Sequence, residues 1–360
     1  MAQPAAGSGA ITTMSRGTAL DWPGRMRDAF DRASRRTGGV VERDYVIGGH
    51  AVRLRFAGPA LVERLAPALS HLLAASETVE PRLTISAWDG QSTGNGTPPG
   101  PWEDADADPG QTHLCAGARI RAVFYPEPPL MSFLDEPAGQ ACFWTAGADR
   151  VPFYESGSPF RPIFNWWMGS HGRQFAHAAA VGTPAGGALL VGRGGSGKST
   201  TALACLAAGL LYAGDDHCLV STDPIPYAHS LYGSGKLNPD SLGRLPALRP
   251  AVANGDRLES EKALLLLARV ARDRLVTGFP IHAIILPQVH PGPETELRPA
   301  SPAAALLALA PSTMLPLPKS HAAGLNALAT LTRQVPCYRL RLGACLEDAP
   351  QVIARLLSGS

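Results

Sequence analysis

Lysine is nearly absent from this chain: of 32 basic residues only four, Lys198, Lys236, Lys262 and Lys319, are lysine. A lysine that survives such a bias marks a place where a compact, mobile ammonium is needed and a planar guanidinium does not serve; Lys198, inside a glycine loop, is the clearest case. An excess of one charge is also missing. Thirty acidic residues leave a net charge of +2, which argues against a nucleic-acid groove and against a polybasic membrane patch. No apolar run approaches the roughly 20 residues that span a bilayer, and the first residues, 1–17, carry no apolar signal core. Neither a membrane protein nor a secreted one is expected. The six cysteines form no C-x-x-C pair and have no histidines at ligand spacing, which excludes a zinc finger and a disulfide framework and leaves reduced thiols in a cytoplasmic protein.

What is present is 360 residues with 45% hydrophobic and 17% charged side chains, enough for two domains with their own cores. Residues 1–20 read as a flexible leader of small residues. Residues 21–160 read as a smaller α+β domain. Tyr45-Val46-Ile47, Gly48-Gly49, then Val52, Leu54 and Phe56 alternating with Arg53 and Arg55 predict a hairpin with a two-glycine turn. Leu61, Leu65, Leu69 and Leu72 predict a helix over 60–75, and strands are expected at 83–88, 119–125 and 141–145. The glycine- and proline-rich stretch 89–111 predicts a long exposed loop.

Residues 161–360 have the texture of an α/β domain. Strands are expected at 178–181, 188–191, 210–213 and 218–220, and later at 281–286, stopped by Pro287, and at 337–342, with a terminal helix over 350–357. Between the strand at 188–191 and a helix over 199–208 stands Gly192-Arg193-Gly194-Gly195-Ser196-Gly197-Lys198-Ser199, which fits G-x-x-x-x-G-K-[ST]. Glycines let successive backbone N–H groups point at phosphate oxygens, and the helix adds its positive end. Lys198 reaches the β and γ phosphates, Ser199 ligates Mg²⁺, and Thr200 follows at the helix start. With so few lysines, a chance match in this chain is on the order of 0.5% before context is required. ATP and Mg²⁺ are therefore the expected ligands.

A P-loop phosphotransferase also needs a carboxylate at a strand end to hold Mg²⁺. The expected strand at 281–286 ends in proline and that at 337–342 ends in glycine. Asp215-Asp216, closing the apolar run after the P-loop helix, is the fitting place, the alternative being a polar turn between two strand segments. Two adjacent carboxylates can divide the work, one orienting the metal and the other taking the proton of an attacking hydroxyl.

His177, the loop ending in Lys198-Ser199, a short helix ending in Gly209, and the pair Asp215-Asp216 together resemble the catalytic domain of the HPr kinase/phosphorylase family, P-loop kinases related in fold to phosphoenolpyruvate carboxykinase. The histidine lies 21 residues before the P-loop lysine and the pair 17 after it, as in that family. The resemblance implies Asp215 as general base, Asp216 beside Mg²⁺ and His177 close by. The glycine-rich signature of the true HPr enzymes has no counterpart here, and the N-terminal half does not look like theirs. The chain is thus similar to divergent members, which include the serine kinases that tailor lasso precursor peptides. That resemblance implies a cytoplasmic, ATP- and Mg²⁺-dependent kinase acting on a serine of a peptide or small protein; the hexameric relatives imply self-association. A nucleotide-binding switch without an acceptor, and a small-molecule kinase, are the alternatives.

Weaker signals surround these. His177 alone reads as a core histidine. Lys236, in Gly233-Ser234-Gly235-Lys236, reads as a lysine in a glycine-flanked turn, either bringing a second cation to the transferring phosphoryl group or standing in solvent as a loop lysine. Arg193 either meets phosphate or points to solvent, and His217 reads as a strand residue pointing away from the acid pair. Arg257, Lys262, Arg269, Arg272 and Arg274, with Glu259 and Glu261 interspersed, read as a solvated helix face.

Overall fold

The computed structural model describes residues 11–13, 21–75, 80–98, 100, 112–115, 119–314 and 321–359. Apart from 11–13 the expected leader lies outside them, as do 99 and 101–111 of the expected loop. The described residues divide into two compact units, one up to residue 167 and the other from 168 onward. Both are mixed α/β.

The first unit is built on an eight-stranded sheet. Its strands are β1 (Ile11–Thr13), β2 (Val40–Ile47), β3 (His50–Ala57), β4 (Leu83–Asp89), β5 (Thr112–Cys115), β6 (Ile120–Pro126), β7 (Pro129–Asp135) and β8 (Gln140–Thr145), in the order β1-β5-β6-β7-β8-β4-β3-β2. The expected hairpin is β2–β3, its register closing at Ile47↔His50 around Gly48 and Gly49, both with positive φ. An unanticipated helix, α1 (Trp22–Arg36), starts with Pro23 in its first turn and ends in Arg35 and Arg36, both favourable to a helix. It buries Trp22, Met26, Ala29, Phe30 and Ala33 against Trp88, Met131, Phe133 and Trp144 of the sheet.

The single helix expected over 60–75 is instead α2 (Val62–Leu65) followed by a 3₁₀ turn, Pro67–Leu72. Pro67 has no N–H to continue the α-helical ladder, yet Leu61, Leu65, Leu69 and Leu72 are all buried. The stretch expected as an exposed loop begins with one turn, α3 (Gly90–Thr93), in which Asp89 accepts from Ser92 N–H at 2.8 Å; Asp89 and Thr93 are buried. After β8 the chain is helical, α4 (Phe153–Gly157) and α5 (Arg161–Gly169).

The second unit holds β9 (Gln174–Ala176), β10 (Ala179–Thr183), β11 (Gly186–Leu190), α6 (Lys198–Ala207), β12 (Leu211–Gly214), β13 (Cys218–Ser221), β14 (Tyr227–His229), β15 (Ser234–Leu237), α7 (Pro239–Gly243), β16 (Ala263–Leu266), β17 (Gly278–Val289), β18 (Glu296–Ala300), α8 (Pro302–Met314), α9 (His321–Gln334), β19 (Cys337–Leu342) and α10 (Asp348–Ser358). Nine strands form one sheet, with the path β12-β10-β11-β17-β14-β13-β9 and with β19 and β18 added beyond β17; β15 and β16 pair separately. β11 lies parallel to β17, and β17 parallel to β19.

Alternation along the strands feeds two cores. Ala179, Val181, Ala188, Leu190, Ala283 and Ile285 face α6 and α10, whereas Ala178, Ala180, Leu189, Val191, Ile284 and Leu286 pack with α8 and α9. Each buried leucine or isoleucine, such as Leu203, Leu206, Ile353 and Leu357, contributes roughly 1.5–3 kcal/mol. A helix-end charge effect is worth about 0.3–1 kcal/mol. Packing therefore decides where the N-terminus of α6 sits.

Three expectations are corrected. β17 runs through Pro287 instead of stopping there: its pairing with β11 ends at Ile285, so on that side Pro287 has no ladder bond to donate, while pairing with β19 continues to Val289. The basic stretch is not one helix face but a series of 3₁₀ turns around β16. Lys236 lies in a strand, β15, paired with Leu264 of β16. Cys142, Cys205, Cys218 and Cys337 are buried and unbridged, and Cys345 is exposed. No helix among the described residues is long and apolar enough to cross a membrane.

Candidate phosphate-binding and acid-pair site

The glycine motif links β11 to α6. Gly195 and Gly197 have φ of +81° and +100°, which other residues rarely adopt, and a Cβ on Gly197 would stand 2.6 Å from Leu342 Cδ1. Ser196 N–H bonds back to Arg193 C=O at 3.2 Å, tightening the turn. Arg193, Gly194 and Gly195 are exposed, so the loop opens to solvent. Lys198, 6% exposed, donates to the loop's own carbonyls, Gly192 at 2.6 Å and Arg193 at 3.2 Å. Burial pulls its ammonium below the usual lysine range, while Asp215 and Asp216 pull the other way. Ser196 Oγ and Thr201 Oγ1 are buried without a hydrogen-bond partner. Two orphaned hydroxyls on or next to the loop fit an oxygen-rich anionic ligand.

β12 brings the acid pair to the same end of the sheet. Ser199 Oγ donates to Asp215 Oδ1 at 2.9 Å, and Lys236 N–H to Asp215 Oδ2 at 3.4 Å. Asp215 is 2% exposed; burial, with the neighbouring Asp216 charge adding to it, pushes its carboxyl up to about 7 against those hydrogen bonds. Asp216 differs in every respect. Its φ is +63°, in a three-residue turn closed by His217 N–H on Asp215 C=O at 2.7 Å, a conformation that a non-glycine residue adopts only under constraint. Its side chain is 25% exposed, with Lys236 Nζ at 2.9 Å and His177 Nε2 at 3.9 Å. Burial alone would raise it, but Lys236, His217 and His177 outweigh that and hold it well below the usual carboxylate range.

His177 joins the cluster from the link between β9 and β10, its N–H donating to Thr313 Oγ1 of α8 at 3.0 Å. His217 does not point away: its ring lies 5.4 Å from that of His177 and 5.0 Å from Phe175. The kink at Asp216 breaks the strand alternation on which the opposite expectation rested. Thr200 Oγ1 meets Ser241 Oγ at 3.4 Å and thus faces α7.

The residues brought together are His177, Lys198, Ser199, Asp215 and Asp216, joined by Lys236 and His217. A glycine-flanked segment was the signal in the sequence for Lys236. No group of three or more His, Cys, Asp or Glu among the described residues could hold a metal by itself. Magnesium does not require one, because it keeps several waters and takes one or two protein oxygens beside the phosphates. Ser199 Oγ and the Asp215 carboxylate are such a pair of hard donors. With an ionised Asp216 beside it, the buried Asp215 is pushed toward its neutral form, and a dication is the charge that would let both ionise.

No family model matches the chain, and no curated protein matches it in sequence. Among solved structures, the Hpr(Ser) kinase/phosphatase from Coxiella burnetii is similar over 52% of this chain and 89% of that one, at 13% identity and a TM-score of 0.30.

Proposed function

We propose that the second unit is an ATP- and Mg²⁺-dependent phosphotransferase that moves the γ-phosphoryl group of ATP to a hydroxyl, in line with the reading from the P-loop and the acid pair. The single observation that carries it is the hydrogen bond from the Ser199 hydroxyl to Asp215, which joins the glycine loop's helix to the acid pair at one sheet end. A regulatory switch would need a metal-side carboxylate but not the second, partly open one.

Burial favours exchanging the roles first expected for the two acids. A base must touch the incoming hydroxyl, and Asp215, 2% exposed and bonded to Ser199, offers no approach. Ser199 and Asp215 would hold Mg²⁺, whose chemistry is to neutralise charge on the phosphates. Asp216, open to solvent on one side, takes the acceptor proton, and His177 orients it. In the transfer an acceptor O–P bond forms, the bond from Pγ to the β,γ-bridging oxygen breaks, ADP leaves and the hydroxyl proton passes to Asp216. Lys198 and the loop amides hold the phosphates. The acceptor class, a serine of a peptide or small protein such as a lasso precursor, rests on the motif resemblance alone.

The test is mass spectrometry of serine-containing peptides incubated with the protein and MgATP. Gain of phosphate that Asp216→Asn abolishes, with MgATP still bound, supports the reading. MgATP bound tightly with no transfer to any peptide or to water would favour the switch.

A further inference from the structure

Resting on that phosphotransferase reading, we infer that Lys236 is a catalytic residue: a second ammonium, outside the P-loop motif, that contacts the transferring phosphoryl group and is held by Asp216 until nucleotide arrives. Three observations carry it. The first is position. Lys236 is 9% exposed, its Nζ lies 2.9 Å from Asp216 and its N–H bonds Asp215, so one residue reaches both acids. Lys198 meanwhile is turned toward the loop carbonyls and is drawn by the same two acids. Both lysines thus act on the carboxylate pair, and Lys236 is the one that touches it.

The second is the way β15 is pinned. Tyr212 Oη, buried, donates to Ser234 C=O at 2.7 Å. A Cβ on Gly235 would stand 2.9 Å from Leu203 Cδ2, so β15 lies directly against the P-loop helix. Glycine is the residue that permits that approach. A two-stranded ribbon separate from the main sheet is in this way held in fixed register with α6, as precise placement of a reacting group requires.

The third is residue type. In a chain whose ordinary cation is arginine, a purely structural partner for Asp216 would be expected to be arginine, which makes the better two-point bond to a carboxylate. Lysine is a compact point charge on a flexible stem that can leave one oxygen for another. Charge that builds on the phosphoryl oxygens during transfer is where such a preplaced cation acts, and losing one donor of this kind commonly costs about 10²–10³ in rate.

The experiment compares the affinities of wild type and Lys236→Gln for MgADP and for MgADP with aluminium fluoride, a mimic of the group in flight, by calorimetry. The expected result is MgADP affinity within about threefold of wild type and a loss of about 10²-fold for the fluoride complex. Equal affinities of the two proteins for both complexes overturn the inference, and so does loss of both together, which would mark Lys236 as scaffold. Wild type that binds no MgADP would remove the phosphotransferase reading itself, and this inference with it. Wild-type protein gives a second test that does not depend on a variant folding. An acyl-phosphate derivative of ATP delivers its acyl group to a nearby amine: the amide C–N bond forms, the acyl C–O bond breaks and ATP leaves. Labelling of both Lys198 and Lys236, blocked by excess ATP, is expected. Label on Lys198 alone, or on Lys262 in place of Lys236, overturns the proposal.

Discussion

Asp44 and Asp215 are the same residue in opposite circumstances. Asp44, on the β2–β3 hairpin of the first unit, receives both Nε and Nη2 of Arg53 at 2.7 and 2.8 Å, in a cross-strand ladder that also includes Glu42 and Arg55. The hydrogen bonds from Arg53 hold its carboxyl below the usual range. Asp215 is buried beside a second acid and is pushed up to about 7. Among the described residues no such arginine partner stands beside Asp215, which meets a hydroxyl, a backbone amide and another carboxylate instead. The first arrangement is stable by itself. The second leaves Asp215 costly to ionise, as the proposed metal-side role of that residue requires.

The largest expected effect breaks the comparison at the acid pair. Asp216→Asn should lower phosphoryl transfer by about 10²–10⁴-fold with MgATP affinity within about threefold, whereas Asp215→Asn should make nucleotide affinity insensitive to added Mg²⁺. Calorimetry with and without magnesium, beside turnover, separates the two. The converse pattern would restore Asp215 as the base. Next, Lys198→Ala should weaken MgATP binding by about 10–100-fold, the worth of one hydrogen-bonded charge, with little change in melting.

A smaller effect sharpens the contrast through pH. For Asp215, whose carboxyl in the folded protein sits near 7 against an ordinary 3.8, the favourable contribution is fully present below about pH 4 and is lost as pH rises through 7. For Asp44 the sign reverses: its contribution is present above its ordinary value and lost as pH falls below it. In metal-free buffer, Asp215→Asn should gain in Tm relative to wild type by at least about 2 °C more at pH 8 than at pH 5. Asp44→Asn should lose slightly at pH 7 and not at pH 3. Smallest of all, Arg53→Ala should cost about 0.2–1 kcal/mol in urea unfolding and leave nucleotide binding untouched.

The parts of the candidate site that lie close together in the chain, residues 192–216, were legible as a glycine loop, a helix start and an acid pair, because each follows from local chemistry. Lys236 was read as a turn lysine because what makes β15 a strand is its pairing with 263–266. His217 was misplaced because alternation assumes an unkinked strand, and Asp216 kinks it. In the first unit α1 passed unnoticed although Trp22, Met26, Phe30 and Ala33 carry its period, and β7 escaped between two turns that contain prolines. Pro287 misled in the other direction, since whether a proline ends a strand depends on which neighbour remains to be paired.

The parallel pairing of β11 with β17 also sets a clock on synthesis. Gly187 waits for Ile281, about 90 residues behind it on the ribosome, so at 5–20 residues per second the strand that feeds the phosphate loop stands without that neighbour for roughly 5–20 seconds. Loop, acid pair and the β15 lysine have all left the peptidyl transferase centre before β17 is made. A nascent chain stalled short of residue 281 should therefore carry every charged group of the site and retain no nucleotide, and the ability to do so should appear only when the chain has grown far enough to fill the centre of its sheet.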